Sequence, residues 1–466
     1  MAGTFGSIST SASALRYHQA VMEVASGNIA NVATDGYARR RVVGLSVGAP
    51  AQPAMWSRYE GHGEGVRVGS VDRLVDPLLD ARARREHGSQ AYLDTRAAAL
   101  ARVEASLGEP AGDGISGALG EVRKAWHDLA NHPDSAAVRS QVLATSQTLV
   151  EAVAAQRRNV AAEEGDQRMS LLADVGETNT LARDLAAANE AITAARLSNT
   201  DASGLLDARD QMALRLAELT GGTAVENGQG GLDVSVGGVA LVTGSRAGSL
   251  AVTSGVAPDG TADGAALALA VTGPDGATTP VSGLRGEIGG TSELLTTTLP
   301  GLRADLQAVA QHLADAVNAA HGAGHDASGA PGQPVFAVDP NAPGGPLVLL
   351  LTDPAALAAS GVAGGANRDG SNATAVAAAL GGPEQGYQRF VSVLGTEVSS
   401  VRRLAAAQAG LTGQVDGARE QLSGVNLDEE MVTMMQAQRA YEAAARVMTT
   451  LDSVLDTLIN RTGLVR

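Results

Sequence analysis

The sequence predicts a mainly α protein with a β-rich insertion. It would be elongated and multidomain, with its terminal helices paired as a coiled coil and a helical-bundle middle domain. Three observations predict this. Ile8, Leu15, Met22 and Ile29 recur every seven positions near one end, and Leu427, Met434, Tyr441, Met448 and Leu455 do so near the other. Such a repeat keeps one apolar stripe of a helix turned toward a partner helix. Residues 76–220 are helical in texture, whereas residues 223–290 turn to Gly, Val, Thr and Ala in short alternating runs. Only 2% of the 466 residues are aromatic, so the cores must be built from Ala, Leu and Val, which suits closely packed helices.

From the N-terminus, Phe5, Ala12, Ala25 and Val32 widen the first stripe, and Asp35-Gly36 makes a tight turn. Arg41-Val42-Val43, Pro50, Pro53 and Gly61-His62-Gly63-Glu64-Gly65 read as an extended, turn-rich connector. A helix over 80–107 stops at Gly108-Glu109-Pro110, and one over 114–131 stops at Asn131-His132-Pro133. A third starts with Asp134 or Ser135 as N-cap and continues toward Asn199, with Gly165 or Gly176 as a breaking point. Leu205 to Leu219 form a shorter helix that Gly221-Gly222 ends.

Leu232–Val236, Val239–Val242 and Leu267–Val271 are strand candidates, separated by turns such as Pro258-Asp259-Gly260 and Pro274-Asp275-Gly276. Helix returns over 291–320, kinked or restarted at Pro300. A loose stretch to about Gly386 holds one strand at 347–351, and a helix over 387–422 leads into the terminal heptads. Asn426 is the N-cap there, and Glu429 completes a capping-box-like pair. Asp428, Glu429 and Glu430 place negative charge where the helix dipole favours it. Ala444, Leu451 and Leu458 flank this stripe on one side, and Met431, Ala445 and Ile459 on the other. At 1.5 Å per residue the helix runs roughly 50 Å, too long to be stable without a partner.

The domains are therefore nested. Residues 1–45 and 425–466 make a terminal, inner domain, residues 46–222 and 291–424 a helical middle, and residues 223–290 the insertion. The middle is expected to fold without the ends, and the ends to be poorly ordered in an isolated subunit.

Little in the chain points to chemistry. There is no Cys, which excludes disulfides, thiol catalysis and Cys-ligated metals. His321 and His325 have helical metal spacing, but Gly322 and Gly324 lie between them, and a solvated loop is the plainer reading. Glu163-Glu164 are adjacent, point in different directions on a helix, and read as solvent charges. Gly228-Gln229-Gly230-Gly231 lacks the Lys-Ser or Lys-Thr of a phosphate loop. Catalytic residues, cofactors and metals are not expected. A net charge of −16 argues against a general nucleic-acid or anionic-membrane binder, and Arg39-Arg40-Arg41 is the one sharp basic run. No apolar run approaches the roughly 20 residues that cross a bilayer, so no membrane insertion is expected. Residues 1–14 lack the basic and apolar regions of a secretory signal.

Asn28-Ile29-Ala30-Asn31-Val32-Ala33-Thr34-Asp35-Gly36-Tyr37-Ala38-Arg39 resembles the segment shared by axial proteins of the bacterial flagellum, its rod, hook and junction subunits. Ser423-Gly424-Val425-Asn426-Leu427-Asp428-Glu429-Glu430 is similar to the narrower signature of the hook-associated family that joins hook to filament. Leu205-Leu206-Asp207-Ala208-Arg209-Asp210-Gln211 and Gly283-Leu284-Arg285-Gly286-Glu287-Ile288 extend the resemblance into the middle. Either terminal motif alone is weak; the two in this order are specific.

The resemblance implies a structural subunit exported unfolded through the flagellar type III channel and assembled outside the cell, on the hook end. Its implied partners are hook protein, a second junction protein and copies of itself, with a cytoplasmic export chaperone on the C-terminal helix. The two heptad stripes would be the seam. For Asn28, Asn31, Gly36, Tyr37 and Arg39 it implies subunit contacts, whereas the residues alone read as a turn with the Tyr37 ring beside it and Arg39 in solvent. Asn28 and Asn31 would be helix-end and turn formers under both. Family members are expected to carry a larger insertion; the outer part here is reduced, so a function tied to it does not carry over from the resemblance. A hook or rod subunit is one rival, opposed by Asn426-Leu427-Asp428-Glu429-Glu430-Met431 and the long helical middle. A surface adhesin would need a deep pocket within residues 223–290, and a cell-wall hydrolase a cleft with paired buried carboxylates.

Overall fold

The computed structural model describes residues 2–47, 65–109, 114–339, 345–364 and 368–457; Pro50, Pro53, Gly61–Glu64, Pro110, Leu458 and Ile459 fall outside them. The two chain ends meet. Helix α1 (Ala2–Ala30) packs along α10 (Leu427–Asp456), the last described helix. Ala25, Asn28, Glu430 and Ala437 are buried between them, and Ile8, Leu15, Met22, Ile29, Met434, Tyr441, Met448 and Leu455 are half-buried. Each helix covers the stripe that the other could not leave in water. Asn426 caps α10, its Oδ1 accepting from the Asp428 and Glu429 amides at 3.0 and 3.4 Å. The Glu429 carboxylate does not close a capping box, because it accepts from Arg39 instead.

The expected connector is in fact a hairpin. β1 (Arg40–Val47) pairs antiparallel with β2 (Gly65–Arg73), Arg40 opposite Arg73, with a bulge at Val43/Gly44, and both strands lie on α1. Gly44, Ser46, Gly69 and Ser70 interrupt the alternation that would have announced it.

The helical middle begins with α2 (Pro77–Ser106), capped by Asp76, whose carboxylate accepts from the Leu78 and Leu79 amides, with Pro77 in the first turn. α3 (Ile115–Asn131) follows. α4 (Ala136–Leu197) is 62 residues long, starts on the Ser135 cap, and breaks at neither Gly165 nor Gly176. Each glycine costs about 1 kcal/mol in a helix interior. Burial of Val142, Leu149, Val160, Leu171, Leu185 and Ile192 on the same helix outweighs that cost. α5 (Ser203–Thr220) ends at Gly221, which is left-handed at φ 64°.

Two small antiparallel sheets form the insertion. One has β3 (Thr223–Glu226), β4 (Leu232–Val236), β5 (Val239–Thr243) and β6 (Arg246–Ala247) in sequential order. The other has β7 (Ser249–Ser254), β8 (Ala268–Thr272) and β9 (Thr278–Val281). The three expected strands are β4, β5 and β8; the others are largely exposed or too short to show alternation. Both sheets lie against the second half of α4.

Helix resumes at α6 (Gly286–Glu293), passes through a π-turn at Leu294–Thr298, and continues as α7 (Leu299–Gly322). Pro300 has no amide to donate, and just before it the Leu299 amide reaches back five residues to the Leu294 carbonyl. The stretch expected to be loose holds β10 (Phe336–Val338) paired with β11 (Leu347–Leu349), a 3-10 turn at Pro354–Ala356, and α8 (Ser371–Ala379). α9 (Gly381–Ser423) starts before Tyr387 and runs beside α2. Two apolar cores result, one around Trp126, Leu149, Leu313 and Leu394, the other around Leu185, Leu216, Val236 and Val271.

Candidate functional site

Where α1 ends, the chain must turn back onto the hairpin, and the end-of-helix amides and carbonyls need partners. The Asn31 amide group donates to the Gly27 carbonyl at 2.8 Å. Gly36 takes φ 72°, and a Cβ there would run into the Gln211 side chain, which donates to the Asp35 carbonyl. The turn thus brings Tyr37 and Arg39 back beside Asn28.

Asn28 is fully buried and satisfied on both sides. Its Nδ2 donates to the Arg40 carbonyl at 2.9 Å and to Glu430 Oε2 at 3.0 Å. Its Oδ1 accepts from the Tyr37 hydroxyl at 2.9 Å and the Arg40 amide at 3.0 Å. Burial raises the Tyr37 phenol above its ordinary value, which keeps it a donor. Arg39 Nε donates to Glu430 Oε1 at 2.7 Å, and Nη1 to Glu429 at 2.8 Å. The Arg39 amide donates to the Ser423 carbonyl at 2.8 Å. The two terminal motifs, nearly four hundred residues apart, are therefore one hydrogen-bonded unit. Its centre is the 3%-exposed Glu430, whose two oxygens are each taken by the other motif.

A second layer ties this latch to the helical middle. Arg40 lies over the Tyr37 ring at 5.0 Å and reaches Asp207 of α5 at 3.2 Å. Arg73 binds Asp207 at 2.8 Å and Asp210 at 2.9 Å, and Arg209 also holds Asp210, at 2.7 Å. The 205–211 stretch is thus the seat of the hairpin. The basic run is not a solvated loop at Arg39 and Arg40; only Arg41 is exposed.

Of the expected site residues, Asn28, Tyr37, Arg39 and Glu429 converge here. Asn31 and Gly36 shape the turn, and Asn426 caps α10. Asp428 and Leu427 stay exposed, Leu427 at 43%. The seam residues Ile8, Leu15, Met22, Ile29, Met434, Tyr441, Met448 and Leu455 extend away from the latch along α1 and α10. Sequence reasoning placed Arg39 in solvent or on a neighbouring subunit; its side chain is folded onto the same subunit's other end. It gave Glu430 only a helix-dipole role, held Asp207 only as part of a resembling stretch, and did not name Arg73. One signal was present for Glu430: it lies seven residues before Ala437, in step with Ala444 and Leu451, so its charge falls on the packed stripe.

The alternative chemistries find different surroundings. His321 and His325 diverge, since α7 ends at Gly322; His321 Nε2 accepts from the Ala358 amide at 2.8 Å, and burial lowers its pKa. Among the described residues no three His, Cys, Asp or Glu side chains form a metal-holding group. Glu163 and Glu164 are buried, not solvent charges, and Arg102 holds Glu163 at 2.7 Å. A cavity of about 360 Å³ lies at the foot of the insertion, shared between Leu269 and Val281, Tyr92 of α2 and Glu293 of α6. Another of about 480 Å³ beside β2 is lined by Asp80 and Asp210. Arg419 binds Asp80, and Arg73 and Arg209 bind Asp210.

A fold of this kind, helical layers with the two terminal helices latched together, defines a mainly α protein with a small β insertion. Residues 100–336 match the family model of the flagellar hook-associated protein FlgK helical domain. Residues 420–461 match that of the flagellar basal body rod FlgEFG protein C-terminal. The chain is 28% identical to flagellar hook-associated protein 1 of Bacillus subtilis, over 99% of both chains. It is 23% identical to that of Escherichia coli, over 97% of this chain and 99% of the relative. In fold it is similar to the flagellar hook junction protein FlgK from Burkholderia pseudomallei, with TM-score 0.63 and 18% identity over 74% of this chain and all of that one. The chain belongs to the flagellar hook-associated protein FlgK family.

Proposed function

We propose that this protein is a structural, non-catalytic subunit of the bacterial flagellum that joins hook to filament. One observation carries the reading: the two terminal motifs form a single hydrogen-bonded unit around the buried Glu430, in a chain alignable end to end with hook-associated proteins. The latch sets the angle at which the paired helices α1 and α10 leave the helical middle. In the assembly those helices would form the inner layer, the middle the next, and the β insertion the outside. Hook protein, a second junction protein and copies of this chain would lie on the flank of the helix pair that α1 leaves exposed, where Met431, Met435 and Val447 stand. Export through the flagellar channel, with a chaperone on α10 beforehand, belongs to the same proposal. A hook or rod subunit would share the C-terminal segment, but the match to the hook-associated helical domain over residues 100–336 favours the junction.

Deleting the gene and imaging the flagella tests this. Cells are expected to keep hooks, lack filaments and shed filament subunits into the medium, and the full chain is expected to restore filaments. Normal filaments in the deletion strain, or loss of the hooks themselves, would overturn the assignment.

A further inference from the structure

Up to Val160 the buried face of α4 is mostly apolar, with Arg139, Ser146 and Gln156 as single polar positions, and from Leu171 it is mostly apolar again, with Asp174, Thr178 and Asn189; between them all three buried residues, Glu163, Glu164 and Gln167, are polar. Among the described residues no buried side chain belongs to both apolar cores. On one side Val160 joins Leu149, Trp126, Leu299 and Leu394. On the other, Leu171 joins Leu185, Leu216, Val271 and Ile288. The layer between is only partly satisfied. Glu163 accepts from Arg102 at 2.7 and 3.0 Å and from Gln167 at 2.8 Å. Glu164 Oε1 and Gln167 Oε1 are buried without a hydrogen-bond partner. The other Glu164 oxygen has Arg303 at 3.4 Å and Arg168 at 4.0 Å.

The helix facing this layer is irregular at the same level. The π-turn at Leu294–Thr298 packs on α4, and Arg303, one turn past Pro300, is the residue that reaches Glu164. Shared apolar packing makes neighbouring segments unfold together, whereas a half-satisfied ionic layer contributes little net stability. Interruptions of the helical ladder are where helices bend. We propose that this polar waist divides the helical rod into two independently opening units, and that bending concentrates at Glu163–Gln167 and the π-turn opposite. The boundary would then run across the middle of α4, not at the junction of helix and β insertion.

Native-state hydrogen exchange in graded urea, on the full chain, tests it. Ile115→Val perturbs the first core and Ile288→Val the second, each by one methyl group at a buried site. Each is expected to raise opening about three- to tenfold in its own core, and to leave the other core within about twofold. An equal rise in both cores from either variant would overturn the proposal. The second arm is Arg102→Leu with Glu163→Leu, which replaces the ion pair by apolar surface. In that background the Ile115→Val effect is expected to spread to residues 171–288. If the two cores stay uncoupled there, the polar layer is not the boundary and the proposal fails.

Discussion

Glu430 decides how the two ends of this chain meet. It is buried, and its two oxygens take Asn28 and Arg39. Glu430→Ala would remove one of the two acceptors of the buried Asn28 amide, which keeps the Arg40 carbonyl, and the acceptor of Arg39 Nε, while the guanidinium keeps Glu429. Removing one partner of a fully buried pair costs about 3–5 kcal/mol, and partial exposure of Arg39 reduces this to about 2. The measurement is hydrogen exchange over residues 1–47 and 427–456, where protection is expected to fall. Glu429→Ala, at an exposed acceptor, is expected to change it by less than about 0.5 kcal/mol. Equal effects would mean that the latch does not hold the ends. Asp174 on α4 behaves in the opposite sense. Burial, with Glu287 and Glu177 nearby and Arg215 opposing them, raises its pKa from 3.8 to about 6. A raised folded-state pKa gives stability that is present below pH 4 and lost as pH rises through about 6. The loss is about 3 kcal/mol at most, because each tenfold change in proton affinity is worth about 1.4 kcal/mol. Asp174→Asn should therefore raise Tm at pH 7.5 and leave it unchanged at pH 3.5; no gain at pH 7.5 would refute this.

The stripe on α10 is the feature to test among the elements. Met448 is half-buried against α1, and Glu442 is exposed on the other side. Met448→Asp puts a carboxylate on the seam at a cost of about 1–3 kcal/mol, whereas Glu442→Lys touches no packed surface. Both leave helix propensity within about half a kcal/mol. With each variant as the only copy in the cell, two quantities separate folding from export: the protein reaching the medium and the swimming of the cells. Met448→Asp is expected to be exported but to give cells that shed filament subunits, and Glu442→Lys to swim. Normal filaments on Met448→Asp cells would remove the seam from the proposed function.

For the whole molecule, the helical middle is joined to the terminal unit by short chain crossings and by the Arg40, Arg73, Asp207 and Asp210 network. Both apolar cores lie outside the terminal unit. A fragment of residues 76–423 is therefore expected to be soluble and to keep its helical circular dichroism, while failing to restore filaments. An aggregated fragment would show that the ends are needed for the middle to fold.

What the sequence determined by itself was local. The Asn426 and Ser135 caps and the left-handed stop at Gly221 depend on neighbours within a turn or two, and each is where its residues place it. So are the three strands whose alternation is long enough to read. Tertiary structure decided the rest. Gly165 and Gly176 are weak helix formers, and α4 runs through them because packing on both cores outweighs a local cost. The hairpin at 40–73 lacks strong alternation and exists because α1 covers it. α8 is too short and too Ala-rich to show a face until α3 and α7 supply one. Glu430 reads as a helix-end charge on the surface; only the return of the distant N-terminal motif, bringing Asn28 and Arg39, makes burial of that charge tolerable.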